Sequence, residues 1–199
     1  RFTQVVDGRF KGGTITRLWV GAGGNGGGNG RELSFFADLN GDGKLELVAG
    51  NTAYKIDGTA LWTAPTTVTN GYNAVADFDA DGKPEVVVVS AGKLWVLEGA
   101  TGAIELGPLT LPSTGEGGPP TVADFDGDGK REIGVAQQAK YAMVKPNYAT
   151  KKIDVVWTAP NHDLSSSVTG SSVFDFDGDG TAEVVYNDEC FLWVYDGKT

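Results

Sequence analysis

Four times in 199 residues this chain sets three acidic or amide residues at alternate positions and closes the set with glycine. The stretches are FADLNGDGK from Phe36, ADFDADGK from Ala76, ADFDGDGK from Ala123 and FDFDGDGT from Phe174. Like charges at that spacing repel one another, so the pattern asks for a counterion. Counted from the first aspartate, side-chain oxygens fall at positions 1, 3 and 5, glycine at 6 and glutamate at 9. The first loop supplies Asp38, Asn40, Asp42 and Glu46; the second Asp77, Asp79, Asp81 and Glu85. The third supplies Asp124, Asp126, Asp128 and Glu132; the fourth Asp175, Asp177, Asp179 and Glu183. Position 7, held by Lys44, Lys83, Lys130 and Thr181, is expected to offer its backbone carbonyl, which leaves its side chain free to vary. Oxygen-only ligands select a hard cation, and a flexible set of about six or seven suits Ca²⁺ better than Mg²⁺. One ion per loop, four in all, is the expectation.

The spacing of the loops defines the architecture. Their first aspartates lie 39, 47 and 51 residues apart, periods that belong to propellers, solenoids or arrays. A short apolar run precedes each loop (LSFFA, AVA, TVA, SVF) and another follows it (LELVAG, PEVVVVS, REIGVA, AEVVYN). A third run ends in an acid–glycine turn in YKIDG, LWVLEG and LWVYDG, with YAMVKPN in that place in the third unit. A fourth run carries tryptophan in ALWTAP and VVWTAP, and reads PLTLP in the second unit. Four short strands per unit at this period describe an all-β propeller built of four-stranded antiparallel blades. The register predicts a half blade at 1–21, whole blades at 33–65, 72–112 and 121–160, and an incomplete blade at 171–199. Val86 to Val89 are apolar on successive residues, as in a strand buried on both faces.

An EF-hand shares positions 1, 3, 5 and 6 but needs a bidentate glutamate at position 12. Ala49, Val88, Val135 and Tyr186 stand there instead. A dockerin loop is followed by a helix, whereas β-formers follow these loops. The D-x-[DN]-x-D-G-x-x-E loops and the four-strand units around them resemble the FG-GAP family, including the bacterial repeats labelled VCBS and the calcium-bearing blades of integrin α-subunits. The resemblance covers nearly the whole chain. It implies a structural calcium in the loop between the first two strands of each blade, set apart from the binding face. It also implies more blades than this chain holds, so part of a larger propeller is expected. Closure by its own ends, with Ile15–Val20 completing the last blade, is the other arrangement.

Charge is concentrated in the loops. The formal net charge is −10, and 15 of the 26 acids lie in the four loops, so the rest of the chain is +5. That sign argues against nucleic acid. No apolar run approaches the roughly 20 residues of a membrane span, and Arg1 in place of a start methionine suggests a processed product or an excised piece. A single thiol, Cys190, permits no internal disulfide and is expected as a small buried strand residue. The G-x-G-x-x-G of Gly21, Gly23 and Gly26 leads into ELSFFADLN and not a helix, so it reads as a flexible connection. His162, Asp163 and Ser165 are close in sequence without anything to fix a triad, and a polar loop is expected there. The recurring tryptophans read as packing between blades. The function expected is a non-catalytic, calcium-stabilised extracellular or surface module that presents loops to a glycan or protein ligand, with adhesion as the general role. The alternatives are the propeller of a secreted polysaccharide-degrading enzyme such as a lyase, and a purely structural assembly or spacer unit. Asn40 leaves the first loop one charge short, so its site is expected to be the weakest.

Overall fold

Short β-forming runs punctuated by glycine and aspartate become fifteen strands in the computed structural model, which describes residues 33–166 and 168–198. The first sheet holds β1 (Phe35–Ala37), β2 (Glu46–Ala49), β3 (Thr52–Tyr54) and β4 (Ala60–Thr63). The second holds β5 (Tyr72–Ala76), β6 (Glu85–Ser90), β7 (Lys93–Glu98) and β8 (Ile104–Thr110). The third holds β9 (Thr121–Ala123), β10 (Glu132–Ala136), β11 (Lys140–Asn147) and β12 (Lys152–Pro160). The fourth holds β13 (Ser171–Phe174), β14 (Glu183–Asn187) and β15 (Leu192–Tyr195). Every sheet is an antiparallel meander in chain order, and no helix occurs among the described residues.

The sheets stack face to face in sequence. Leu39, Val48, Ala53 and Trp62 of the first meet Val86, Val88, Trp95 and Leu97 of the second. Val87, Val89, Leu94 and Val96 leave the opposite face of the second sheet and meet Ile133, Val135, Ala142 and Val144 of the third. Phe125, Tyr141 and Met143 of the third meet Val184, Tyr186 and Tyr195 of the fourth. Successive residues of a strand point to opposite faces, so the four valines of β6 serve two cores. All six residues of that strand are buried. Each buried valine contributes about 1.5–3 kcal/mol, so β6 stabilises the cores on both sides of the second sheet. First strands neighbour one another along the series, β1 with β5, β5 with β9 and β9 with β13.

Tryptophans of the fourth strands tie adjacent sheets together. Trp62 Nε1 donates to Gly99 O at 2.7 Å, and Trp157 Nε1 donates to Gly197 O at 2.8 Å. In both cases the acceptor is the glycine of the acid–glycine turn in the next unit. Gly99 is required by close approach, since a Cβ there would stand 2.0 Å from Pro84 O.

The described residues are thus all-β, with four antiparallel sheets of three or four strands, and a closed ring of sheets is not seen among them. The half blade expected at 1–21, with its run at Ile15–Val20, and the glycine-rich connection at 21–30 lie outside them. Cys190 corrects the sequence reading. It is exposed, in the turn between β14 and β15. Asp188 Oδ1 accepts the amides of Cys190 (2.8 Å) and Phe191 (2.7 Å), and this holds the chain in a turn where a strand was expected.

Candidate metal centres

Each acidic loop joins the first strand of a sheet to the second, and its own backbone shapes it. The position-1 carboxylate accepts the amide of the position-6 glycine in all four: Asp38 from Gly43 (2.8 Å), Asp77 from Gly82 (3.0 Å), Asp124 from Gly129 (2.9 Å) and Asp175 from Gly180 (3.0 Å). These glycines have φ between +81° and +86°. The requirement there is conformational, since a Cβ on any of them would meet nothing within 4 Å. Position 3 accepts the amide of position 5 at 2.9–3.1 Å, and position 5 accepts the amide of position 7 at 2.8–2.9 Å. Position 9 reaches back across the loop: Glu46, Glu85, Glu132 and Glu183 each accept the amide of position 2 through Oε2, at 2.7–3.0 Å.

With one oxygen of each glutamate committed to the backbone, the other is left beside the aspartates. One carboxylate oxygen each from Asp77, Asp79 and Glu85 lie within 4.8 Å of one another. The same holds for Asp124, Asp126 and Glu132, and for Asp175, Asp177 and Glu183. These three clusters can hold a metal ion. No such trio of acids forms in the first loop, where Asn40 replaces an aspartate. The position-5 aspartates lie outside the trios. Asp81 Oδ2 is 3.4 Å from Lys83 Nζ, Asp128 Oδ2 is 2.8 Å from Lys145 Nζ, and Asp179 Oδ2 is 2.7 Å from Lys198 Nζ. At position 7, Thr181 also donates its hydroxyl to Asp179.

The second loop gives the clearest sign that a cation fits. In the other loops position 4 is glycine, and its amide donates to the first aspartate: Gly41 to Asp38, Gly127 to Asp124 and Gly178 to Asp175. Ala80 stands there in the second loop, and Asp77 Oδ1 is buried with no hydrogen-bond partner among the described residues. A buried carboxylate oxygen left so is costly. Glu85 beside it is also buried, and burial pushes its carboxyl up to about 7. The amide of Phe78 opposes that shift, while the charges of Asp79, Glu105 and Asp77 reinforce it. A divalent cation among these oxygens would answer both.

The third loop is neutralised differently. Lys145, on β11, places Nζ 2.6 Å from Asp126 Oδ2, 2.8 Å from Asp128 Oδ2 and 2.8 Å from Glu132 Oε1. Burial raises the Glu132 carboxyl, and the lysine pulls the other way. The hydrogen bond from Lys145 holds Asp128 below the usual carboxylate range. In the fourth loop the exposed pair with Lys198 takes Asp179 down to about 2. Reading of the loops alone missed Lys145, although the third unit's break from the acid–glycine pattern, at YAMVKPN, marks the spot.

The other polar candidates have structural employment. Asp163 accepts from the Ser166 amide and hydroxyl, the Thr169 amide and the Tyr186 hydroxyl. The His162 amide donates to Asp188, which also accepts from Trp193 Nε1.

Against known proteins, residues 77–135 match the FG-GAP-like repeat, so the chain carries a repeat of the FG-GAP family running from the second acidic loop through the third. Among curated proteins none matches the sequence. Among solved structures, rhamnogalacturonan lyase YesW superposes with a TM-score of 0.58 at 21% identity, over 83% of this chain and 40% of its own. The rhamnogalacturonan lyase of Bacillus licheniformis gives 0.57 at 23%, over 83% and 41%. The V. cholerae biofilm matrix protein Bap1 gives 0.55 at 17%, over 84% and 54%. The likeness is one of fold, and the chain spans about two fifths of the lyases' length and about half of Bap1's. No helix of the described residues is long and apolar enough to cross a membrane.

Proposed function

We propose that the four sheets are consecutive blades of a β-propeller, and that calcium in the loops between first and second strands pins the edge of each blade. The side chains at positions 1, 3, 5 and 9, with the carbonyls of Lys44, Lys83, Lys130 and Thr181, would hold the ion. The observation that carries this reading is the repeated trio of carboxylates, each built on a glutamate clamped by the backbone. Bound calcium would supply charge neutralisation and cross-linking, and no chemistry on a substrate. The module would belong to an extracellular protein, where calcium is plentiful enough for sites of about 10⁻⁴ to 10⁻³ M, and would present its blade-connecting loops to a glycan or protein ligand. Calorimetric titration of calcium into the metal-free chain tests this. Binding at three or four sites is the expected result, and absence of heat would refute it.

The likeness to two rhamnogalacturonan lyases favours one further reading, that the chain is the scaffold of a polysaccharide lyase. An assay of the chain with rhamnogalacturonan, read by the absorbance of unsaturated product, separates the two. Product formation would support the lyase reading; glycan binding without product would support the module.

A further inference from the structure

We propose that the third acidic loop carries its own counterion, Lys145, which competes with a metal ion for the carboxylates of Asp126 and Glu132. The inference rests on the calcium reading above and ranks the sites within it. Lys145 reaches the loop from a different strand. Ile133 pairs with Val144 across β10 and β11, so the next step of the ladder sets Lys145 opposite Glu132. In the second sheet Glu85 pairs with Glu98, and in the fourth the step beyond Val184–Tyr195 sets Asp196 opposite Glu183. An acid therefore holds this position in two sheets, where it adds to the negative charge of the loop. Lys55 holds it in the first sheet, but no ion pair joins Lys55 to the first loop among the described residues.

The three contacts of Lys145 are short: two are hydrogen bonds, to Asp126 and Asp128, and the third is an ion pair with the fully buried side chain of Glu132, whose Oε1 accepts no hydrogen bond among the described residues. Two of those partners belong to the trio that can hold a metal ion. An ammonium and a divalent cation a few ångströms apart repel strongly in such surroundings, so the pocket takes one or the other. Lys145 also lines a cleft of about 430 Å³ shared with Asp79, Tyr148 and Asp154, which gives it room to withdraw when a metal ion enters. The second loop is the opposite case: no lysine enters its trio, and Asp77 Oδ1 remains unpaired. The ammonium of Lys198 reaches the fourth loop only at Asp179 among the described residues, outside the trio and from an exposed position. The third loop therefore keeps its turn without metal and binds metal more weakly than the second and fourth.

Amide resonances of Gly82, Gly129 and Gly180 report the second, third and fourth loops one by one as Ca²⁺ alone is titrated into the metal-free chain. Gly129 is expected to need roughly tenfold more calcium than Gly82. In Lys145→Met and Lys145→Gln it should titrate level with Gly82, whose own midpoint stays unchanged and certifies the fold of the variants. Gly129 moving together with Gly82 in the wild-type chain overturns the inference and leaves the calcium reading standing. An unchanged Gly129 midpoint in both variants does the same. Silence at all three glycines overturns both. Because the wild-type order is itself a test, poor folding of a variant does not shelter the idea.

Discussion

Asp77 and Glu85 show how one side chain can make a site demanding. With Ala80 in place of glycine at position 4, the amide there does not donate to the first aspartate as it does in the other loops, and one oxygen is left buried and unpaired. Burial then raises Glu85 to about 7 from an ordinary 4.5. The contribution of that protonated form to the stability of the metal-free chain is complete below pH 4.5 and is lost as the pH rises through about 7. Calcium needs the carboxylate, so binding near pH 6.5 should release a proton, and affinity at the second loop should fall as the pH drops below 7. Titration in two buffers of different ionisation enthalpy measures this directly. Equal heats in both would show that Glu85 is already ionised before the metal arrives.

Among the elements, the fourth strands of the first and third sheets are each joined to the sheet that follows by one indole. Trp62→Phe keeps most of the ring packing but removes the donor to Gly99 O, leaving a buried carbonyl unmatched. A loss of about 1–3 kcal/mol is expected, read from the urea midpoint at unchanged slope. Trp157→Phe should behave alike at Gly197. An unmoved midpoint would mean the seam rests on apolar contact alone. Strands and loops were legible because each unit repeats two local signals, an apolar run and a glycine at φ above +80°, and both depend only on near neighbours. Lys145 was not, because its partners are 13 to 19 residues away in sequence and meet it only once β10 and β11 are in register. Cys190 was misjudged for a different reason: Asp188 turns the chain locally, and neither residue type announces that. The division of labour within each loop was also hidden, since every position-9 glutamate spends one oxygen on a backbone amide.

At the scale of the whole molecule, successive sheets share cores in pairs, so tightening the edge of one sheet should stabilise its neighbours. Calcium at a hundredfold excess over a site's dissociation constant adds about 2.7 kcal/mol per site. The melting temperature of the chain should therefore climb with calcium and return on chelation, as a single transition if the series unfolds together. Asp175→Asn would remove one increment, and differential scanning calorimetry would show it as a smaller climb with the remaining sites still responding. A transition indifferent to calcium would leave the carboxylate trios without a stabilising role. The indole links give the series a direction. Trp62 and Trp157 each lean on a turn built from residues that come later in the chain. A ribosome releasing this sequence would thus leave the first and third units provisional until most of the next had emerged, and a protein engineer trimming it would do better to cut after an acid–glycine turn than before one.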